Sequence, residues 1–245
     1  MLRTLAISSF ALLAVSGVAF AADLPIANGP PPAPPMPAPT WTGFSLGVDG
    51  GFAWSDADWR FPVAQFYANH AGEGFSSAPT GGLFGGHVGY DYQFGSWVFG
   101  AQGQADWADL SERQVGPVTP TYPNDAYTTK FTDYESATAR LGYAFGDWLV
   151  YGRAGAATTN LDFSVLSGAP VPGVAASRSF RLWGPTIGVG VETLLAGHYE
   201  VGLEYDYAHF DRGAFATTAS NGAPVTLSGS SVEVQTLLAR LSYKF

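Results

Sequence analysis

Cysteine is absent from the 245 residues. That excludes disulfides, thiolate metal sites, a cysteine nucleophile and lipid attachment through cysteine. Charge is scarce as well: Asp, Glu, Lys and Arg make up 13%, against about a quarter in soluble domains. The eleven basic residues form no cluster and the formal net charge is −9. Nucleic acid is therefore not expected as a partner, because phosphate binding needs a basic face. After the N-terminal segment, no run is long and apolar enough to span a membrane as a helix. Rings and glycines, by contrast, are plentiful, with 15% aromatic residues and 31 glycines. Such a composition suits strands that alternate between lipid and a second environment, although composition alone also permits a soluble all-β protein.

Residues 1–21 read as a secretory signal peptide. Arg3 supplies the positive n-region, residues 5–18 the apolar h-region, and Ala19-Phe20-Ala21 an A-x-A cleavage site. The competing reading, a membrane-anchoring helix, is disfavoured by the shortness of the apolar run. Residues 22–40 form a periplasmic linker. Its stretch Pro-Pro-Pro-Ala-Pro-Pro-Met-Pro, at 30–37, lacks most backbone donors and favours an extended, stiff spacer.

From Trp41 to the end the pattern is alternation. The last ten residues place Leu237, Ala239, Leu241, Tyr243 and Phe245 on one face, and Thr236, Leu238, Arg240, Ser242 and Lys244 on the other. A bare apolar edge strand at a chain end invites aggregation unless lipid covers its face and another strand of a closed sheet covers its edge. Phe44, Leu46, Val48, Phe52 and Trp54 alternate likewise at the start. Between them the same hairpin is written twice, as Phe94-Gly95-Ser96-Trp97 and Phe145-Gly146-Asp147-Trp148, and a third short turn falls at Ala196-Gly197-His198. Long connections are expected near 55–79 and 108–130, after the sixth strand, and near 211–231. Outward aromatics sort into two girdles: Tyr92, Trp97, Trp148 and Tyr243 near the turns, and Phe52, Phe84, Trp107 and Trp183 near the loops. An aliphatic belt including Val48, Leu141, Val189 and Leu203 lies between, marking both lipid–water boundaries. The expectation is an all-β, eight-stranded antiparallel up-and-down transmembrane β-barrel over 41–245, with four long extracellular loops and three short periplasmic turns.

Several pieces together resemble a known family. They are the signal peptide, the Pro-rich linker, Trp41-Thr42-Gly43-Phe44, Arg140-Leu141-Gly142-Tyr143, the strand from Trp183-Gly184 to Glu192, and the terminal Tyr243-Lys244-Phe245. The chain is similar over its whole length to the small outer-membrane β-barrel proteins of alphaproteobacteria, often labelled a porin family. The resemblance implies an outer-membrane location, and reading of Tyr243 and Phe245 by the barrel-assembly machinery after periplasmic chaperones have carried the chain. Outer-membrane lipid and lipopolysaccharide are the implied surroundings. The family carries no agreed catalytic residues, so none transfers, and its members include reported haem binders, adhesins and surface antigens.

The inward set is polar: Asp49, His87, Asp91, Gln102, Gln104, Arg140, Arg153, Glu192, Glu200, Glu204, Asp206, Arg240 and Lys244. Eight strands leave a bore that side chains fill. A network in which Arg140, Arg153 and Arg240 match Glu192 and Glu204 is expected over an ion pathway, with Asp91, Glu200 and Asp206 hydrated near the rims. Gly43-Phe44-Ser45-Leu46-Gly47 matches G-x-S-x-G, but a nucleophile elbow needs a strand–turn–helix context. The four histidines show no metal-ligand spacing, and Ser242 has no histidine near it in its own strand. Neither an enzyme nor a cofactor is expected. The first long loop carries Trp59, Phe61, Phe66, Tyr67 and Phe75 around His70. These rings are expected to pack over the barrel mouth, the alternative being a binding face. The reading is a structural envelope protein with exposed loops; the alternatives are a narrow diffusion channel and a surface receptor or adhesin.

Overall fold

The computed structural model describes residues 40–60, 62, 71–72, 74–115, 125–166, 175–211, 214–222 and 224–245, all in the compact unit Ala38–Phe245. The signal peptide, nearly all of the linker, and Phe61, Phe66, Tyr67 and His70 lie outside them. The strands are β1 (Gly43–Arg60), β2 (Gly74–Ser77), β3 (Thr80–Phe94), β4 (Trp97–Val115) and β5 (Ala126–Phe145). They continue as β6 (Trp148–Leu166), β7 (Ala175–Leu195), β8 (Tyr199–Asp211), β9 (Ala214–Thr218) and β10 (Pro224–Lys244).

Every pairing is antiparallel, and β10 returns to pair with β1, Leu241 facing Val48 and Leu237 facing Phe52. The sheet is therefore closed, and the last backbone N–H, that of Phe245, donates to the Phe44 carbonyl at 2.8 Å. Closure pairs both edges of each stave in the membrane section, which a strand in hydrocarbon requires. The ten strands make eight staves, because β2 and β3 share one stave and β8 and β9 another. Ala78-Pro79 interrupts the first of these, since proline has no N–H for the ladder. In the two repeated turns Gly95 and Gly146 have φ of 61° and 66°, a left-handed geometry that side chains resist.

The strands run further than expected, and the segments assigned to long loops at 55–79, 108–130 and 211–231 are in good part strand. The physical reason is an inversion of polarity. Within the membrane, Val150, Gly152 and Ala154 of β6 face out while Tyr151 and Arg153 face in; beyond it, Leu161, Phe163 and Val165 are buried inside while Asn160, Asp162 and Ser164 face out. A search for apolar-outward alternation stops where water begins, yet the backbone ladder does not.

Above the membrane the ring divides into two four-stranded sheets, β2-β1-β10-β9 and β4-β5-β6-β7. Among the described residues, side chains bridge both seams between them. At one, Ser77 Oγ donates to Glu112 at 2.8 Å and Gln114 Nε2 donates to the Ser76 carbonyl at 2.7 Å. At the other, Thr217 Oγ1 donates to the Ser177 carbonyl at 3.3 Å and Ser220 Oγ accepts from the Ala175 N–H at 3.1 Å. There the Ser220 N–H also reaches the Ala175 carbonyl at 2.8 Å. Between the sheets lies an apolar core that includes Trp59, Leu110, Phe131, Leu161, Phe163 and Phe210. The polar interior expected along the whole bore is thus confined to its membrane section. Trp59 and Phe75 are not laid across the mouth but packed inside, with ring centroids 4.6 Å apart for Trp59–Phe163 and for Phe75–Tyr127. A second apolar cluster, Trp41, Val98, Ala144, Leu149, Tyr151 and Leu194, closes the turn-side end.

Candidate functional site

Between the two apolar clusters stands a band of buried charge, placed there because β3 to β8 and β10 each present polar residues inward at the same height. Arg140 on β5 clamps Asp91 on β3 with two bonds, Nε to Oδ1 at 2.8 Å and Nη2 to Oδ2 at 2.6 Å. The same guanidinium reaches Glu192 on β7 at 3.2 and 3.3 Å and lies 4.6 Å above the Tyr151 ring. Glu204 on β8 is the centre of the band. It accepts from Arg153 Nη1 at 2.7 Å, from the Tyr151 hydroxyl at 2.6 Å and from Arg240 Nη1. Arg153 also forms an ion pair with Asp206 at 2.9 Å and donates to Gln104 and Ser136, both at 3.1 Å.

Arg140, Arg153, Glu192, Glu204 and Arg240 are therefore brought together. The expectation of hydrated acids at the rims is corrected: Asp91 and Asp206 are buried and paired with Arg140 and Arg153, and Glu200 is buried as well. Taking a carboxylate out of water costs several kcal/mol, which the facing guanidinium groups offset for Asp91 and Asp206. The Tyr151 side chain, Asp91 as a second acid partner for Arg140, and Glu204 as a hub were not read from sequence as a unit. The signal was present only as alternation, since Tyr151 shares the face of Arg153.

A further constellation joins three staves. Asp49 Oδ2 lies 2.6 Å from His87 Nδ1, and His87 Nε2 lies 2.7 Å from Ser242 Oγ. Ser242 lacks a histidine in its own strand, as the sequence indicates, but β3 supplies one across the barrel wall. The order Asp–His–Ser is that of nucleophilic triads, yet Ser242 is 4% exposed and offers no open face to a substrate. The three form a buried polar chain beside the ion band, with Asp49 Oδ1 left without a hydrogen-bond partner among the described residues. Tyr243 and Phe245 point outward at the end of β10, 5.0 Å apart edge to face, on the turn side.

Outside, Phe44, Tyr92, Phe94, Trp97, Tyr143 and Trp148 are exposed at one rim, and Phe52, Phe84, Trp107 and Trp183 at the other. A recess of about 490 Å³ opens on this lipid-facing side among Leu46, Gly86, Val88, Gly103, Ala137 and Trp183. His87, Gln104, Glu135 and Ser136 also line it, but its surface is mainly apolar.

Comparison with known proteins agrees with this architecture. The 25 kDa outer-membrane immunogenic protein of Brucella canis is 27% identical over 251 residues, covering 100% of this chain and 99% of that one. The 22 kDa outer membrane protein of Rhizobium leguminosarum bv. viciae is 28% identical over 182 residues, covering 73% and 68%. Among solved structures, the outer membrane protease OmpT from Escherichia coli superposes with a TM-score of 0.53 at 10% identity, covering 83% of this chain and 97% of that one; at that identity it speaks for the fold alone. The family described as "Outer membrane protein beta-barrel domain" matches residues 9–245. The chain belongs to that outer-membrane β-barrel family, and the outer membrane is where it resides.

Proposed function

We propose that the protein is a structural barrel of the outer membrane, closed to solutes, which contributes to envelope integrity and displays a folded surface outside the cell. The observation that carries this reading is the filled lumen. An apolar core lies above the membrane, paired charges fill the middle, and a second apolar cluster closes the turn side. A diffusion channel needs a hydrated path, and interior packing of this kind leaves none. Outer-leaflet lipid and lipopolysaccharide are the partners proposed for the exposed aromatic girdles. The barrel-assembly machinery and its chaperones are proposed to read Tyr243 and Phe245 during insertion. The test is planar-bilayer recording of the refolded protein whose folding is checked by heat-modifiable gel migration. A silent membrane is expected; regular step conductances would replace this reading with the channel.

Surface recognition is a second reading, supported by the relatives' name, outer-membrane immunogenic protein, and by the polar outer face of the part above the membrane. Antibodies raised against the folded protein are expected to bind intact cells, and failure to do so would remove that reading.

A further inference from the structure

Trp41 is 0% exposed although it precedes the first strand. Instead of leaving the barrel, the chain at residues 40–42 turns into its turn-side mouth, and the indole seats among Val98, Ala144, Leu149 and Leu194. Few bonds hold it there. The Trp41 N–H donates to Gln93 Oε1 at 2.7 Å, the Gln93 N–H donates to Thr42 Oγ1 at 2.9 Å, and the Lys244 ammonium meets the Thr40 carbonyl and lies 5.9 Å from the indole centroid. The indole Nε1 is buried with no partner among the described residues. Behind it stand Glu200, with Oε1 likewise buried and unmatched, and the Asp91–Arg140–Glu192 cluster. A ring held by apolar contact and by three bonds at residues 40–42, over a carboxylate oxygen that gains by hydration, is placed to leave without disturbing any ladder.

We propose that Trp41 is a removable stopper over an acidic vestibule at the turn-side mouth of the barrel, and that with the stopper out this vestibule takes up water and small cations. The vestibule is blind, because the apolar core above the membrane still closes the far end; in that respect the proposal rests on the sealed-lumen reading. Trp41 is joined through Thr40 to the proline-rich stretch, so a load on that stretch reaches the stopper along the covalent chain.

The absence of native cysteine makes the test direct. Leu194→Cys is introduced alone, with Trp41→Gly and with Trp41→Phe, and folding of each is checked by heat-modifiable migration. Reaction with a cationic and an anionic methanethiosulfonate of equal size is then followed in the full-length protein. Expected are slow labelling in Leu194→Cys alone, labelling faster by more than about tenfold with Trp41→Gly, protection restored by Trp41→Phe, and preference for the cationic reagent. Rapid labelling of Leu194→Cys alone overturns the stopper whether or not the glycine variant folds. Slow labelling in both backgrounds also overturns it, and a preference for the anion overturns the acidic vestibule. Bilayer recording of Trp41→Gly separates this from the sealed-lumen reading: step conductance there would mean that the far end is open, leaving the stopper intact as an idea but not the closed barrel.

Discussion

Glu204 shows what a single residue carries in this lumen. It holds Arg153, Arg240 and Tyr151 at once, on β6, β10 and β6 respectively, so its removal takes the carboxylate away from the buried Arg240 and leaves Arg153 with Asp206. Breaking a buried pair by deleting one partner costs about 3–5 kcal/mol. Glu204→Ala is therefore expected to lower the unfolding free energy of the barrel by that order and with it the urea midpoint, read from the heat-modifiable band. Glu135 provides the contrast: it bonds Arg181 at 2.5 Å, but both side chains are partly exposed, and pairs of that kind contribute about 0–1 kcal/mol. Glu135→Ala should leave the midpoint nearly unmoved. Equal effects at the two positions would mean that the bore is wet.

At the scale of elements, the part above the membrane is two sheets joined by side chains. Glu112 on β4 accepts from Ser77 Oγ and from the Ala78 N–H, pinning β2 across the seam. Glu112→Ala is expected to raise amide exchange in β2 (Gly74–Ser77) by about tenfold while β3, laddered on both sides, keeps its protection. Trp59 acts on both sheets, since it belongs to β1 and packs against Phe163 of β6 in a tilted ring contact. Trp59→Ala should cost about 3–5 kcal/mol, as large-to-small changes in aromatic cores do, and should sensitise the outer part to proteolysis before the membrane staves. Uniform sensitisation of the whole barrel would mean that the two parts unfold as one.

The molecule as a whole is organised by one boundary, the height at which outward residues change from apolar to polar. Leu203, 55% exposed on β8, lies in the aliphatic belt, and Ser164 on β6 lies outside it. Leu203→Arg is expected to cost about 2–4 kcal/mol, the order measured for arginine at the bilayer midplane. Ser164→Arg should stay within about 0.5 kcal/mol, as surface changes usually do. Folding titrations into lipid vesicles measure both, and equal costs would show that the boundary is drawn at the wrong height.

The closed eight-stave barrel, its girdles and the set of inward charges were legible in the residues, because alternation is local: each strand declares its two faces within ten residues. The outward set Leu241, Tyr243 and Phe245, or the twin turns at Gly95 and Gly146, need no knowledge of the rest of the chain. The sequence could not say which inward residues share a height. That depends on the stagger between staves, and it brought Asp91 to Arg140, Asp206 to Arg153 and His87 to Ser242 across 49 to 155 residues of chain. Nor could alternation show that strands continue where its polarity reverses, so Trp59, Leu110 and Tyr127 read as loop rather than core. Local pattern fixed which face each residue takes; only the closed ring, by setting register all the way round, decided which of them meet.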